Sequence, residues 1–219
     1  SSAKGNTFTV ADFYEAGREA LSLTLVAGAE NLNRKIEEPI VNRPGLALTG
    51  FYEHFAWDRL QIFGNAEMTY LDSLDDVTRH ERMKALLDRK AFCFIFTCGR
   101  QPKAGETAFA VKAGAVLLST PMTTSAFMHH CAFVLEKLGA PTTSIYGTMV
   151  EVCGLGVLFE GDPGLGKSET ALGLVKRGCA LVADDLTCLR KDVAANRLFA
   201  TASPATRNYM EIRGIGIIH

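Results

Sequence analysis

The residues best suited to chemistry form a glycine-rich stretch in the last third of the chain. Its eight residues match G-x-x-x-x-G-K-[ST], the pattern of a phosphate-binding P-loop, and they are Gly161, Asp162, Pro163, Gly164, Leu165, Gly166, Lys167 and Ser168. Glycines let the backbone turn tightly, so that successive N–H groups point at phosphate oxygens. We therefore expect Lys167 to reach the β- and γ-phosphates of a nucleotide and the Ser168 hydroxyl to help hold Mg²⁺.

A P-loop needs a strand before it and a helix after it, and the sequence predicts both. Val157–Glu160 is a short apolar run, long enough for a buried strand. Glu169–Arg177 is rich in good helix formers, and Gly178 stops the helix. The positive N-terminal end of this helix would point at the same phosphates. The alternative is a glycine-rich turn in an ordinary α/β protein.

An acidic pair follows the next predicted strand. Asp184 and Asp185 close the apolar run Cys179–Ala183, as a carboxylate that faces the metal of a P-loop does. Adjacent side chains on an extended strand point to opposite faces, but a turn at the strand end would bring both into one pocket. One carboxylate could then bind metal and the other could act as general base. A turn-forming or capping Asp pair is the alternative.

Two charged residues near the end of the chain are weaker candidates. Glu211 and Arg213 flank Ile212 before a Gly-x-Gly. The carboxylate could complete the metal shell, and the guanidinium could hold phosphate bidentately. A solvated edge strand would have the same pattern.

The composition is that of a globular protein. The chain has 219 residues, 47% of them hydrophobic and 21% charged, enough for one large domain or two modest ones. A net charge of −1 argues against bulk electrostatic binding of nucleic acid or an anionic membrane. No apolar run approaches the roughly 18 residues of a membrane span. Six cysteines without a C-x-x-C pair indicate core residues in a reducing cytoplasm.

Strands and helices alternate before the P-loop, which predicts a small α/β domain with a largely parallel sheet. Thr9 is a good N-cap for a helix that starts at Val10, and Ala91–Thr97 has the composition of a buried central strand. Gly139–Ser144 is the best candidate linker. We therefore expect one domain at residues 1–140 and a P-loop domain at residues 141–219.

With these motifs the chain closely resembles the bacterial HPr kinase/phosphorylase family. The resemblance covers nearly the whole chain, and its stretches are Gly154–Gly178, Leu181–Asp185, the signature EIRGIGII at Glu211–Ile218, and VNRPGLALTGF, RLQIFGNAEMTYL and LLSTPMTTS in the first domain. It implies an α/β protein in which a small N-terminal domain precedes a P-loop kinase domain similar to phosphoenolpyruvate carboxykinase. We expect the first domain, which shows no nucleotide or metal motif, to serve assembly or regulation.

The resemblance also implies a bifunctional enzyme. One activity uses ATP, or in many members pyrophosphate, to phosphorylate a serine of the phosphocarrier protein HPr or a paralogue, and thereby controls carbon metabolism. The other removes that phosphate with inorganic phosphate and releases pyrophosphate. Members of the family are typically homohexamers.

Family roles carry over by position. Gly161–Ser168 would cradle phosphates, and Asp184 would be the general base, which becomes the general acid in phosphorolysis. Asp185 and Glu211 match acidic residues near the metal. Arg213 belongs to the signature segment that is linked to dephosphorylation.

The chain departs from the family pattern in three places. Tyr146 stands where the family usually has a histidine near the phosphates, and His219 stands where an Asp often follows Ile-Ile. Family members also continue, through a basic loop and C-terminal helices that engage HPr. We therefore expect residues 141–219 to lack the C-terminal part of their domain.

Two other functions remain open from the residues alone. One is a P-loop kinase of small molecules or a plain NTPase. The other is a non-catalytic module that senses ATP and signals through a partner.

Overall fold

The chain folds into two units, which are described separately. The computed structural model describes residues 7–192, 195–203, 210–212 and 216–218. The described residues up to Gly139 form the N-terminal unit, and those from Ala140 onward form the C-terminal unit. Within these residues, no helix has the length and apolar character needed to cross a membrane.

The N-terminal unit contains seven strands, six α-helices and a 3₁₀ turn at Ala29–Asn31. In chain order they are β1 Phe8–Thr9, α1 Val10–Ala20, β2 Thr24–Ala27, β3 Lys35–Ile36, β4 Val41–Asn42, α2 Gly45–Leu48, β5 Leu60–Phe63, α3 Asn65–Asp72, α4 Asp76–Asp88, β6 Cys93–Phe96, α5 Ala104–Lys112, β7 Val116–Ser119 and α6 Thr124–Gly139.

Five of these strands form one sheet in the order β2-β7-β6-β5-β4. The strands β4, β5, β6 and β7 are parallel to one another, and β2 is antiparallel to β7. The predictions of a largely parallel sheet and of a central strand within Ala91–Thr97 are therefore confirmed. The Thr9 N-cap is also confirmed, because its Oγ1 accepts a hydrogen bond from the Asp12 N–H at 3.2 Å.

The two faces of this sheet carry separate apolar clusters, because successive strand residues point to opposite sides. Ile95 faces the cluster that contains Phe13 of α1 and Phe127 of α6. Phe94 and Phe96 face the cluster built with α2, α3, α4 and α5. The fully buried β6 thus contributes to both clusters, which explains its unbroken apolar sequence.

The C-terminal unit contains eight strands and one α-helix among its described residues. In chain order they are β8 Thr142–Tyr146, β9 Thr148–Val152, β10 Leu155–Phe159, α7 Lys167–Val175, β11 Ala180–Ala183, β12 Leu186–Asp192, β13 Arg197–Ala202, β14 Met210–Ile212 and β15 Gly216–Ile218.

These strands form two three-stranded sheets and one pair. The order is β10-β9-β11 in the first sheet and β13-β12-β8 in the second, and β14 pairs with β15. All of these pairs are antiparallel. Helix α7 covers the first sheet through Ala171, which packs in one cluster with Val150.

Two local predictions for this unit differ in part from the structure. The boundary between the two units lies within the expected linker at Gly139–Ser144, but most of that segment has regular secondary structure, because α6 reaches Gly139 and β8 starts at Thr142. Its polar composition fits an edge strand with an exposed face. The strand before the P-loop was expected to be buried over Val157–Glu160, but the described residues flank β10 on one side only, and Val157 is 37% exposed.

A buried arginine joins three helices of the N-terminal unit. The Arg79 side chain, on α4, is only 2% exposed. Its guanidinium donates to both carboxylate oxygens of Glu106 on α5, and to Asp72 on α3 at 2.6 Å. The hydrogen bond from Arg79 holds the pKa of Asp72 below its usual value. Because a buried charge is stable only when paired, these helices depend on one another.

We expect Arg79→Met to lower the free energy of unfolding of this unit by about 3–5 kcal/mol, because the buried Glu106 would lose its cationic partner. Urea unfolding followed by the fluorescence of Trp57, the single tryptophan, reports on this unit. Lys84→Ala is the control, since Lys84 pairs with Asp88 on the exposed side of the same helix, and it should cost about 0.5 kcal/mol or less. Equal losses in both variants would contradict a special role for Arg79.

Candidate active site

The P-loop lies between a strand and a helix, as predicted. Strand β10 ends at Phe159, and α7 begins at Lys167. Gly164 and Gly166 have φ angles of 89° and 84°, which residues with a side chain rarely adopt. Gly166 is the N-cap of α7, so the loop leads directly into the end of the helix that favours anions.

A cleft of about 360 Å³ opens on this loop. It is lined by Pro163, Gly164, Gly166, Lys167, Ser168, Glu169 and Asp185. The Lys167 Nζ donates to the carbonyl oxygens of Gly161 at 2.8 Å and Asp162 at 3.0 Å. The ammonium group is therefore held against the backbone of the loop.

Asp184 and Asp185 lie in a tight turn rather than along an extended strand. The Leu186 N–H donates to the Asp184 carbonyl at 2.8 Å, and Asp185 has a left-handed φ of 63°, a conformation in which Asp is enriched. Because of this turn, both carboxylates serve one site: Asp184 contacts Ser168, and Asp185 lines the cleft.

Asp184 is the buried member of the pair, at 3% exposure. Its Oδ1 accepts hydrogen bonds from Ser168 Oγ at 3.1 Å and from Thr148 Oγ1 at 2.8 Å. Asp185, in contrast, is exposed. The two carboxylates therefore differ in what they can do: one is fixed against the last residue of the P-loop, and the other faces the open cleft.

Strand directions explain why these groups converge. Strands β10 and β11 both run antiparallel to β9, which lies between them. The carboxyl ends of the two outer strands and the amino end of β9 consequently share one edge of the sheet. The P-loop leaves from β10, Asp184 follows β11, and Thr148 begins β9 at that edge.

Gly147 stands where the chain passes from the second sheet to the first. Its N–H donates to the Asp185 carbonyl at 2.8 Å, and a Cβ at this position would lie 2.7 Å from the Phe159 carbonyl oxygen. The close approach of three segments therefore requires a residue without a side chain here.

The other predicted site residues are placed only in part. The backbone of Glu211 lies in β14 opposite Ile217, and Cα atoms of β14 come within 8 Å of Cα atoms of α7. Arg213 lies outside the described residues. Tyr146 is 83% exposed and pairs with Leu186, the residue after the acidic pair.

Sequence reasoning missed two residues of the site, Thr148 and Gly147. The sequence signal for Thr148 is a threonine at the start of the largely apolar run TMVEV, but its hydrogen-bond partner depends on the pairing of β9 with β11. The signal at Gly147 is a glycine between two strands, which alone does not tell a close approach from a turn.

The donor set suits a hard cation. The Ser168 hydroxyl and the two carboxylates are oxygen donors, which Mg²⁺ prefers. Within the described part of the chain, no three His, Cys, Asp or Glu side chains are grouped closely enough to hold a metal by themselves. Mg²⁺ usually binds through one or two carboxylates plus the phosphates of a substrate, so the residues present fit that mode.

The class of the protein follows from this geometry: it is an α/β protein with a P-loop pattern between strand β10 and helix α7. The last residue of the loop, Ser168, donates a hydrogen bond to the Asp184 carboxylate. Two family models then match the chain: residues 8–135 match the HPr Serine kinase N terminus, and residues 137–219 match the HPr Serine kinase C-terminal domain. The chain belongs to the HPr serine kinase family.

Individual relatives carry a consistent name. A protein named HPr kinase/phosphorylase from Geobacter sulfurreducens is 39% identical over 97% of this chain and 66% of its own length. One of the same name from Leptospira biflexa is 39% identical over 91% of this chain and 62% of its own length. A solved structure of the Hpr(Ser) kinase/phosphatase from Coxiella burnetii is 34% identical over 35% of this chain and 45% of that chain, with a TM-score of 0.33. The chain thus spans somewhat less than two thirds of the length of these two curated relatives.

We expect Gly147→Ala to lower the free energy of unfolding of the C-terminal unit by about 1–3 kcal/mol, since the added methyl group forces backbone apart. Gly173→Ala is the control, because a Cβ there, inside α7, has no neighbour within 4 Å. The control should gain about 0.5–1 kcal/mol from helix propensity. Urea unfolding monitored by circular dichroism measures both. A stabilised Gly147→Ala would refute the close approach.

Proposed function

We propose that this protein is an HPr kinase/phosphorylase. In one direction it transfers a phosphoryl group from ATP, or from pyrophosphate, to a serine hydroxyl of HPr or a paralogue. In the other, inorganic phosphate attacks the seryl phosphate, which yields pyrophosphate and the free serine. Family membership and the names of the relatives support this function. The observation that connects this function with the candidate site is the position of the two acids: Asp184 accepts a hydrogen bond from Ser168, and Asp185 lines the cleft at the P-loop.

The phosphates of the donor would lie along the P-loop. Backbone N–H groups and the N-terminus of α7 favour anions there. Lys167 donates to the carbonyls of Gly161 and Asp162, and its third N–H can donate to a phosphate oxygen. Bound Mg²⁺ would neutralise charge that develops on the transferring group. Ser168, with one of the acids and Glu211, would hold it.

The acidic pair would divide two tasks, metal binding and proton transfer. The family resemblance assigns Asp184 as general base and Asp185 to the metal, and that assignment stays a prediction. The geometry favours the reverse: Asp184 is fixed to the Ser168 hydroxyl, whereas Asp185 lines the cleft that a serine would enter. We therefore propose that Asp185 accepts the serine proton in phosphorylation and returns a proton to the seryl oxygen in phosphorolysis.

The remaining proposals concern the whole protein. Arg213 would hold phosphate during phosphorolysis, and the C-terminal unit would share the kinase fold of phosphoenolpyruvate carboxykinase. Residues 1–140 would serve assembly, in a homohexamer, or regulation, and residues 141–219 would carry the chemistry. A cytoplasmic location is supported by the six cysteines, all of which are free thiols.

We expect Lys167→Ala to lower both activities by about 10²-fold or more, because both directions use the same phosphate site. The full-length protein is incubated with Mg²⁺, ATP and HPr, or with Mg²⁺, phosphate and phosphoserine-HPr, and the mass of HPr is measured. Lys176→Ala is the matched control, since Lys176 lies exposed at the opposite end of the same helix.

Several outcomes would contradict the proposal. Normal phosphorolysis in the Lys167 variant would rule out one shared site. Wild-type protein that leaves HPr unmodified would support an alternative: a small-molecule kinase or NTPase if it turns over ATP, and an ATP-sensing module if it binds ATP without turnover.

The acidic pair can be separated by two isosteric changes. We expect Asp185→Asn to lower kcat by about 10²–10⁴-fold while Mg²⁺-dependent nucleotide binding persists, because only the base is lost. Asp184→Asn should instead weaken that binding, since it removes the negative charge beside the Ser168 hydroxyl, where the metal would bind. The opposite pattern would restore the assignment made from the resemblance. Asp192→Asn, which removes a charge elsewhere in the unit, controls for net charge.

A further inference from the structure

A buried threonine stands at the base of the candidate site. Thr148 has 0% exposure, and its Oγ1 donates to Asp184 Oδ1 at 2.8 Å. This is shorter than the 3.1 Å from Ser168 Oγ to the same oxygen. Neither the P-loop pattern nor the acidic pair includes this residue.

The hydroxyl of Thr148 limits how Asp184 can turn. A carboxylate rotates about its side-chain bonds unless its oxygens are bonded in fixed directions, and charge-assisted hydrogen bonds from hydroxyl groups are strong ones. Thr148 lies at the start of a central strand, and its β-branched side chain is stiff at χ1. The bond from Thr148 therefore fixes the orientation in which Asp184 receives the Ser168 hydroxyl.

The backbone of Thr148 adds a second connection. Thr148 pairs with Phe159, which is two residues before the P-loop. Thr148 therefore contacts two parts of the site. Its backbone pairs with the end of β10, from which the P-loop leaves. Its side chain bonds to Asp184, which also accepts a hydrogen bond from Ser168. A Ser168 hydroxyl that donates its hydrogen bond to Asp184 directs its oxygen lone pairs elsewhere, where a metal could accept them.

We propose that Thr148 is a positioning residue for the metal–nucleotide complex: it orients Asp184 so that the Ser168 oxygen is presented to Mg²⁺. This rests on the proposed function only in taking the P-loop as the site of a metal–nucleotide. Partners that orient a metal-side ligand typically change metal affinity or activity by about 10–100-fold when removed.

Thr187 supplies a matched comparison. It is equally buried at 0% exposure, and its Oγ1 donates to the Gly147 carbonyl at 3.0 Å. Removing either hydroxyl costs one buried hydrogen bond in the same unit. The bond from Thr148 ends on a carboxylate, whereas the bond from Thr187 ends on the backbone.

The test is the Mg²⁺ dependence of nucleotide binding, measured with a fluorescent ATP analogue and full-length protein, without HPr. Thr148→Val should raise the Mg²⁺ concentration for half-maximal binding by about tenfold or more. Thr148→Ser, which keeps the hydroxyl, should titrate like the wild type, and so should Thr187→Val. Urea unfolding of each variant checks that the two valine variants lose similar stability. Should Thr148→Val not fold, Thr148→Cys takes its place, because a thiol is only a weak donor.

An unchanged Mg²⁺ titration in Thr148→Val or its cysteine substitute, or an equal shift in Thr187→Val, would overturn the proposal. A wild-type protein that binds no nucleotide would overturn it together with the proposed function. The Thr148 shift in a protein that leaves HPr unphosphorylated would sustain the positioning role and refute the substrate. Phosphorylation of HPr by the wild-type protein, together with an unchanged Mg²⁺ titration in Thr148→Val, would support the substrate and refute the positioning role.

Discussion

The candidate site depends on one carboxylate that is bonded from two sides. Asp184 accepts hydroxyl hydrogen bonds from Ser168 and Thr148, so a single buried group ties the P-loop helix, the start of β9 and the end of β11. A buried carboxylate is costly to leave without partners. This cost makes the meeting of three distant segments a condition of a stable fold as well as of the proposed chemistry.

The turn at Asp185 makes the second carboxylate available. Its left-handed φ and the hydrogen bond from the Gly147 N–H to its carbonyl hold the chain where it crosses between the two sheets. Asp tolerates this conformation better than most residues do. As a result, two neighbouring carboxylates have unlike surroundings, one buried against Ser168 and one exposed at the cleft. In the proposed function, this difference would separate metal binding from proton transfer.

Several parts of the fold and of the candidate site could be predicted from the sequence, because short local sequence patterns determine them. Each of three features can be recognised from a few neighbouring residues in the sequence: the apolar run of β6, the Thr9 N-cap and the loop at Gly161–Ser168. The pairing that brings Thr148 to Asp184 could not be predicted, since it depends on which strands lie beside β9. The sequence did not reveal that β8 begins within the predicted linker, because an exposed edge strand and a loop share a polar composition. The approach of Gly147 to Phe159 likewise depends on tertiary packing.

The most direct test of the account is the location of the metal in a nucleotide complex. Crystals of the full-length protein grown with Mn²⁺ and a non-hydrolysable ATP analogue would show the ion by anomalous scattering. The account predicts phosphates along Gly161–Ser168 and the ion in direct contact with Ser168 Oγ, on the side of Asp184. An ion bound away from Ser168, or a nucleotide bound outside the P-loop, would contradict it.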